Sequence, residues 1–142
     1  MVGGVLYTST SLSQVAAIDA ATGDTKWVFD PKIYENGLGL PANLGWVHRG
    51  VAYWRNGDDE RIIILTAFAQ MVALDAKTGK PVTSFGNNGL VDLAKGLRRA
   101  VDRNYYTMTS PPVIVRGVIV VGSSVFDWWA RRSVAARRCQ RF

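Results

Sequence analysis

The sequence predicts an all-β protein assembled from repeated antiparallel units, and three observations carry this prediction. The pattern Ala-x-Asp-x-x-x-Gly-x-x-x-Trp occupies residues 17–27, and its first seven positions recur at residues 73–79. The two copies lie 56 residues apart, and β-branched and aromatic residues are frequent on either side of them. A repeat of this length indicates stacked units that bury their apolar faces against one another. Each copy is expected to form one hairpin of a blade in a β-propeller of four-stranded antiparallel blades.

The first unit contains three predicted strands. They cover residues 5–10, 15–19 and 26–29, where β-branched and aromatic residues are concentrated. Thr22-Gly23-Asp24 supplies turn chemistry between the second and third strands, because Gly adopts a positive φ without strain. Asp30-Pro31 ends the third strand, and a loop rich in Gly, Pro and Asn follows over residues 32–45.

The second unit contains four predicted strands, over residues 47–54, 61–66, 71–75 and 82–85. A turn at Asn56-Gly57 separates the first two. Residues 61–66 are almost continuously apolar, which is typical of a strand buried on both faces. A short helix is expected over residues 93–101.

The third unit begins with a predicted hairpin, residues 111–115 and 118–121, but its second hairpin is missing from the pattern. The chain therefore holds about two and a half blades. After residue 127 the composition changes abruptly to Arg, Ala and Trp, so we predict a partial propeller over residues 1–127 and an aberrant basic tail over residues 128–142. The tail is either a basic arm for an anionic surface or the product of a truncated or shifted reading frame, and the break inside a repeat unit favours the second.

Composition and charge exclude several classes of protein. Hydrophobic residues make up 48% and charged residues 20% of the 142-residue chain, so it is not intrinsically disordered. The net charge is +6, but residues 1–129 carry 12 Lys and Arg against 11 Asp and Glu, which argues against a nucleic-acid-binding face on the body. Cys139 is the only cysteine, which excludes an intramolecular disulfide. No apolar run is long enough to span a bilayer, and the N-terminus lacks the pattern of a signal peptide.

Three further segments narrow the type of propeller. They are Val47–Trp54, Thr109–Val113 and Gly122–Asp127. Together with the repeated Asp-Gly pattern, they resemble the quinoprotein dehydrogenases that use pyrroloquinoline quinone (PQQ), most closely the glucose, glycerol and alcohol dehydrogenase members, over residues 1–127. The resemblance implies an eight-bladed propeller with PQQ and a Ca²⁺ or Mg²⁺ ion near its axis. It also implies oxidation of alcohols or sugars by hydride transfer to PQQ, a periplasmic location and, in some members, membrane association.

The resemblance also assigns roles to individual residues. Arg49 matches an arginine that reaches a PQQ carboxylate, for which a guanidinium offers a planar two-pronged donor. Thr109, Ser124 and Val125 match residues that contact PQQ, and Asp127 matches a carboxylate that binds the metal, since hard cations prefer oxygen ligands. Without the family pattern, Arg49 would be read as a surface arginine and the others as ordinary turn residues. Asp19, Gly23 and Trp27 are expected to be structural.

No catalytic residue is assigned, because the family's catalytic aspartate lies further along the family sequence and no carboxylate of this chain matches it. His48 is the only histidine and is expected to be a packed or exposed residue rather than a general base. We therefore expect a part of a PQQ-dependent dehydrogenase that is inactive alone. The alternative is a non-catalytic propeller module for interaction or scaffolding, but such a module has no need of the Arg49 and Ser124 segments.

Overall fold

The computed structural model describes residues 1–35, 37–41, 45–125 and 140–141. Its strands are β1 (Val5–Ser9), β2 (Val15–Asp19), β3 (Thr25–Phe29), β4 (Ala52–Asn56), β5 (Asp59–Leu65), β6 (Gln70–Asp75), β7 (Leu90–Asp92), β8 (Tyr106–Thr107), β9 (Val113–Val115), β10 (Val118–Val121), β11 (Ser124–Val125) and β12 (Gln140–Arg141). A single 3₁₀ turn, Ile33–Glu35, is the one helical element in this described part. All strand pairs there are antiparallel, as predicted, and no helix there is long and apolar enough to cross a membrane.

The first sheet consists of β1, β2 and β3 in that order. The turn between β2 and β3 forms because the Asp19 carboxylate accepts hydrogen bonds from the amides of Ala21, at 3.0 Å, and Thr22, at 3.3 Å. Gly23 follows with a φ of 82°, a conformation that favours glycine. Local sequence chemistry therefore accounts for the turn of this hairpin.

The second sheet has four strands in the order β4-β5-β6-β7. Its turn after β6 repeats the first one, because the Asp75 carboxylate accepts hydrogen bonds from the amides of Lys77, at 3.1 Å, and Thr78, at 2.8 Å. Gly79 has a φ of 69° at the position equivalent to Gly23. The repeated pattern in the sequence is thus a repeated turn in the structure.

The second sheet lies between the other two parts of the molecule. Along β5, Ile62 and Ile64 pack in one cluster with Val15 of the first sheet. Ile63 and Leu65, which point to the opposite face, pack in another cluster with residues of the third unit. The apolar run therefore predicted the burial correctly, because β5 has protein on both faces.

Trp27 joins the first sheet to the second. Its Nε1 donates a hydrogen bond of 3.0 Å to the carbonyl of Ala76, and Tyr7 Oη donates one of 3.2 Å to the same carbonyl. The indole ring covers Gly79 so closely that a Cβ there would lie 2.5 Å from its Cε3 atom. Glycine is required at this position by the neighbouring sheet as well as by its own φ.

Residues 82–85, predicted as the last strand of the second unit, are not a strand. Residues 83–86 form a turn, and β7, which starts eight residues later than the predicted strand, takes the edge of the sheet beside β6. Gly86 and Gly89 have φ values of 57° and 91°, and a Cβ on either would lie within 3 Å of Leu90 or Pro81. The chain therefore reverses here, which an extended strand would prevent.

Two other expectations also differ from the structure. The helix predicted over residues 93–101 is absent: a turn covers residues 93–96, the rest of the range is irregular, and Gly96 has a φ of 83°, which ends any helical course. The strand predicted from residue 47 begins only at Ala52, because the backbone before it hydrogen-bonds outside the sheet.

The third unit contains the predicted hairpin, β9 and β10, with β12 beside β10. A separate two-stranded ladder pairs β8 with β11. The first sheet has three described strands, so the second sheet alone shows the full four-stranded blade among the described residues. The proposed boundary between residues 127 and 128 lies outside the described residues and stays a prediction.

Candidate cofactor-binding site

Four of the five predicted site residues belong to one neighbourhood. The amide of Arg49 donates a hydrogen bond of 3.0 Å to the carbonyl of Thr109. Thr109 lies two residues after Thr107, which pairs with Ser124 in the β8–β11 ladder. Val125 is the next residue of that ladder. The fifth, Asp127, lies outside the described residues.

The segment before β4 carries Arg49 to Thr109 because its backbone turns away from the sheet. Gly50 has a φ of 135°, which only glycine adopts readily, and its Cβ position is open except for Pro111 Cγ at 4.0 Å. A side chain at residue 50 would therefore be disfavoured by the backbone conformation and not by crowding. This conformation leaves the Arg49 amide free to reach Thr109.

Arg49 and Thr109 differ in exposure. Thr109 is buried, with 7% of its surface exposed, whereas Arg49 is exposed. Within the described part of the chain, the Arg49 guanidinium takes part in no ion pair. The site therefore presents a cation at its rim that pairs with none of the described carboxylates, next to the buried Thr109.

Two buried hydroxyl groups close to these residues have no hydrogen-bond partner in the described part of the chain. They are Thr107 Oγ1 and Ser123 Oγ, each an immediate neighbour or ladder partner of a predicted site residue. Leaving such a group unsatisfied costs about 1–3 kcal/mol, so in a native protein it is normally met by ordered water or by a ligand. Neither residue was predicted from the sequence, although the patterns Thr107-x-Thr109 and Ser123-Ser124 place hydroxyls in pairs.

His48 lies half-buried beside Arg49. Its Nδ1 is 2.8 Å from Ser9 Oγ at the end of β1, and the amide of Gly50 donates a longer bond of 3.4 Å to the same nitrogen. Burial lowers the pKa of His48, and the backbone carbonyl of Leu65 opposes that shift only in part. The Nε2 atom is buried and makes no hydrogen bond of good geometry. A neutral imidazole is the form that this environment favours.

The described residues do not assemble a metal site. No group of three or more His, Cys, Asp or Glu side chains among them is close enough to hold an ion. The predicted ligand, Asp127, is outside this set, so its role stays a prediction.

Comparison with known proteins decides what kind of propeller this is. The family model for the beta-propeller domain of PQQ-dependent glucose, ethanol and alcohol dehydrogenases matches residues 1–137. The chain belongs to this family of quinoprotein dehydrogenases. The resemblance inferred from the four sequence segments is therefore confirmed.

Individual relatives agree with the family match. The chain is 34% identical over 139 residues to a quinoprotein glucose dehydrogenase of Gluconobacter oxydans, covering 86% of this chain and 16% of the relative. It is 35% identical over 136 residues to the dehydrogenase subunit of a quinone-dependent alcohol dehydrogenase of Gluconacetobacter polyoxogenes, covering 96% of this chain and 17% of the relative. The chain thus spans about a sixth of the length of these curated relatives.

A solved structure confirms the predicted fold. The crystal structure of quinohemoprotein alcohol dehydrogenase from Comamonas testosteroni superposes with a TM-score of 0.70 at 30% identity, over 88% of this chain and 16% of that one. The partial, antiparallel β-propeller predicted from the repeat is therefore the observed fold class.

The residues present fit a PQQ molecule, the cofactor of this family. PQQ carries carboxylates and quinone oxygens, which need hydrogen-bond donors and a cation. The site offers the Arg49 guanidinium, and the unpartnered hydroxyls of Thr107 and Ser123 lie in the same neighbourhood. The donor set matches an anionic, oxygen-rich ligand.

Proposed function

We propose that this chain forms part of the PQQ-binding surface of a dehydrogenase that oxidises alcohols or sugars. The observation that carries the proposal is the backbone bond between Arg49 and Thr109, which brings a cation to a cluster of buried hydroxyls. The family match supports the cofactor, and the relatives named above support the two classes of substrate.

Each residue has a distinct role in this proposal. The Arg49 guanidinium binds a PQQ carboxylate through two parallel N–H donors. Thr109 and Ser124 contact the cofactor from the end of the β8–β11 ladder, and Val125 does so through its backbone. Asp127 contributes one oxygen ligand to a Ca²⁺ or Mg²⁺ ion. When bound, PQQ supplies the acceptor for the hydride that leaves the substrate carbon.

We expect the 142-residue chain to lack dehydrogenase activity by itself. No carboxylate in it matches the family's catalytic base, and a general base contributes about 10²–10⁴-fold to such a reaction. Dye-linked oxidation of ethanol or glucose, measured with added PQQ and Ca²⁺, should stay at background. Turnover that a chelator abolishes would contradict this expectation.

The proposal extends to a periplasmic location, which the family resemblance implies.

Binding of PQQ to the chain tests the proposal directly. Quenching of tryptophan fluorescence by PQQ should be saturable, and Arg49→Ala should weaken binding roughly tenfold to hundredfold, since a hydrogen bond to a charged group contributes about 1.5–3 kcal/mol. Arg55→Ala is the matched control, because Arg55 is an exposed arginine at the far end of β4 whose Nε donates only to the Gly57 carbonyl. Arg55→Ala should leave the affinity unchanged.

A second variant tests the unpartnered hydroxyls. Thr107→Val keeps the shape of the side chain and removes Oγ1, so it should stabilise the unliganded chain by about 1 kcal/mol and yet weaken PQQ binding. A gain in stability together with a loss of PQQ affinity is expected only if the ligand forms a hydrogen bond with the Thr107 hydroxyl. A folded chain that shows no saturable PQQ binding would overturn the proposal and favour a propeller module for interaction or scaffolding.

A further inference from the structure

Residues 48–50 link three different parts of the fold. His48 Nδ1 contacts Ser9 Oγ on β1 of the first sheet, at 2.8 Å. The amide of Arg49 donates to Thr109 in the third unit, at 3.0 Å. Gly50 precedes β4 of the second sheet, and its amide donates to the ring of His48 at 3.4 Å. The segment that carries Arg49 therefore has its position set by tertiary contacts on both sides of it.

We propose that His48 is a positioning residue, whose neutral imidazole holds the Arg49 segment in place because its Nδ1 lone pair accepts a hydrogen bond from Ser9 and shares a longer one from the Gly50 amide. This inference rests on the proposed function, because that function requires the Arg49 guanidinium to be held where it binds a PQQ carboxylate. It goes further by assigning a role to a residue that contacts neither the cofactor nor the substrate in that proposal.

The two contacts require one tautomer of the ring. A backbone amide can only donate, so Nδ1 must be the acceptor of the Gly50 bond. The Ser9 hydroxyl can turn its hydrogen toward the same nitrogen. The ring hydrogen then lies on Nε2, which is buried. His48 is thus an acceptor on one side and a buried N–H on the other.

Protonation of His48 would remove the acceptor. A hydrogen on Nδ1 would face the Gly50 amide hydrogen, and that bond would be lost. Among the described residues, the polar groups that contact the ring are the Ser9 hydroxyl from β1, the Leu65 carbonyl from β5 and the Gly50 amide of its own segment. None of them is a carboxylate, and the adjacent Arg49 is a cation. The imidazolium is therefore disfavoured, and the pKa of His48 lies below its ordinary value.

Two roles are possible for His48, filling space and accepting a hydrogen bond, and they lead to different predictions. His48→Asn retains an oxygen close to the position of Nδ1 and cannot be protonated, whereas His48→Leu fills the space without any acceptor. If the acceptor matters, Asn should preserve the Arg49 position and Leu should not. If only packing matters, Leu should do as well as Asn.

Nuclear magnetic resonance can follow this arrangement, because the chain contains one histidine and therefore one set of imidazole signals. We expect the imidazole of the 142-residue chain to titrate below 6.5, and the amide signals of Arg49 and Gly50 to titrate with the same midpoint. In His48→Asn these amide transitions should disappear, while the shifts stay near those of the neutral wild type. Ser9→Ala should shift both amides, and Thr8→Ala, an exposed neighbour on β1, should not.

Affinity for PQQ links the arrangement to the proposed function. His48→Leu should weaken binding about two- to tenfold at pH 7.5, as expected for the loss of one hydrogen bond, and His48→Asn should restore it. Wild-type affinity should fall as the pH drops through the His48 midpoint, and that of His48→Asn should not.

The outcomes distinguish the positioning role of His48 from the proposed binding of PQQ. If the Arg49 and Gly50 amides do not follow the His48 titration, or if Leu preserves them as well as Asn, the positioning role is overturned even when PQQ binds. If the amides follow His48 but PQQ does not bind, the positioning role stands and the proposed function fails.

Discussion

Asp19 in the first sheet and Asp75 in the second close the same turn, but the two turns have different surroundings. Each carboxylate accepts hydrogen bonds from the amides two and three residues ahead, and each turn ends in a glycine with a positive φ. Around Gly23 there is open space, with nothing within 4 Å of its Cβ position, whereas Gly79 lies directly under the Trp27 ring. The comparison shows that the turn depends on residues near it in sequence, whereas the docking of one sheet on another depends on residues far apart in sequence.

The strands of the two sheets differ in the same way. In the first sheet, β3 alternates exposed and half-buried residues, and Val28 is 63% exposed. In the second, the last four residues of β5 are all buried. Both sheets are rich in β-branched residues, so composition does not explain the difference. The second sheet has a neighbour on each face, and the first has one on a single face among the described residues.

The largest expected effect comes from truncating the strand that is covered on both sides. Ile64→Ala should lower the free energy of unfolding by about 2–5 kcal/mol, because it removes fully buried carbons and leaves a cavity. Val28→Ala, on the exposed face of the first sheet, should change it by less than about 0.5 kcal/mol. Urea unfolding of both variants measures this difference, and similar losses would mean that the first sheet is also covered on its outer face.

Substituting the two turn glycines isolates the contribution of docking. Gly23→Ala should cost about 1–2 kcal/mol, since alanine is strained at a positive φ. Gly79→Ala carries the same strain and also forces the Trp27 ring away, which should add about 1–3 kcal/mol. The two variants share the backbone change, so equal losses in thermal unfolding would show that Trp27 does not pack on Gly79. Fluorescence of Trp27 should respond to the second substitution and not to the first.

A smaller effect is expected from the ion pairs of the two sheets. Asp92 of the second sheet accepts a hydrogen bond of 2.6 Å from Arg103, which also donates to the Phe68 carbonyl at 3.2 Å, whereas Lys26 in the first sheet pairs with Asp19. Arg103→Gln should therefore cost about 1 kcal/mol after allowance for solvent screening, and Lys26→Gln should cost less.

The pH dependence identifies the partner of Arg103. Its guanidinium holds the pKa of Asp92 below the ordinary value of 3.8, so the contribution of the pair is complete above that value and is lost as the pH falls through the lower folded pKa. The stability difference between wild type and Arg103→Gln should vanish in acid over that window. A difference that persists at lower pH would assign the effect to the Phe68 carbonyl instead.

The smallest effect is expected for removal of residues 128–142. Among these, the described residues Gln140 and Arg141 pair with Val121 and Val120 at the edge of β10. Two residues at a sheet edge contribute little compared with the buried face of the second sheet, so a chain ending at Asp127 should unfold within about 1 kcal/mol of the whole chain. It should also lose most binding to heparin, because five arginines are removed. Unfolding of the shortened chain would show that the tail completes the third sheet.

Most strands could be predicted from the sequence because their signals are local. β2 and β10 have the predicted bounds, and β1, β3, β5, β6 and β9 differ by one or two residues at either end. The errors fall where a glycine reverses the chain. Gly86 and Gly96 adopt positive φ values that convert an expected strand and an expected helix into turns. Glycine permits such a conformation without requiring it, so composition does not reveal which glycines use it.

The candidate site could be predicted only in part. Arg49, Thr109, Ser124 and Val125 were assigned through family resemblance, and whether they bind PQQ stays a prediction. Their proximity is a structural finding, since residues 49 and 109 meet through a backbone hydrogen bond across 60 residues of chain. The unpartnered hydroxyls of Thr107 and Ser123 had no signal strong enough to select them, because most threonines and serines in turns are satisfied by water.

By itself, the sequence determined the two Asp-Gly turns, the antiparallel hairpins and the apolar run of β5, since each depends on side chains and backbone within a few residues. Tertiary structure decided which turn is covered by Trp27, which strand has two neighbours and where Arg49 meets Thr109. The physical reason is that burial is a property of a pair of surfaces. An apolar face in the sequence indicates that the sheet must be covered. Which residues cover that face is determined only by the packing of the next sheet.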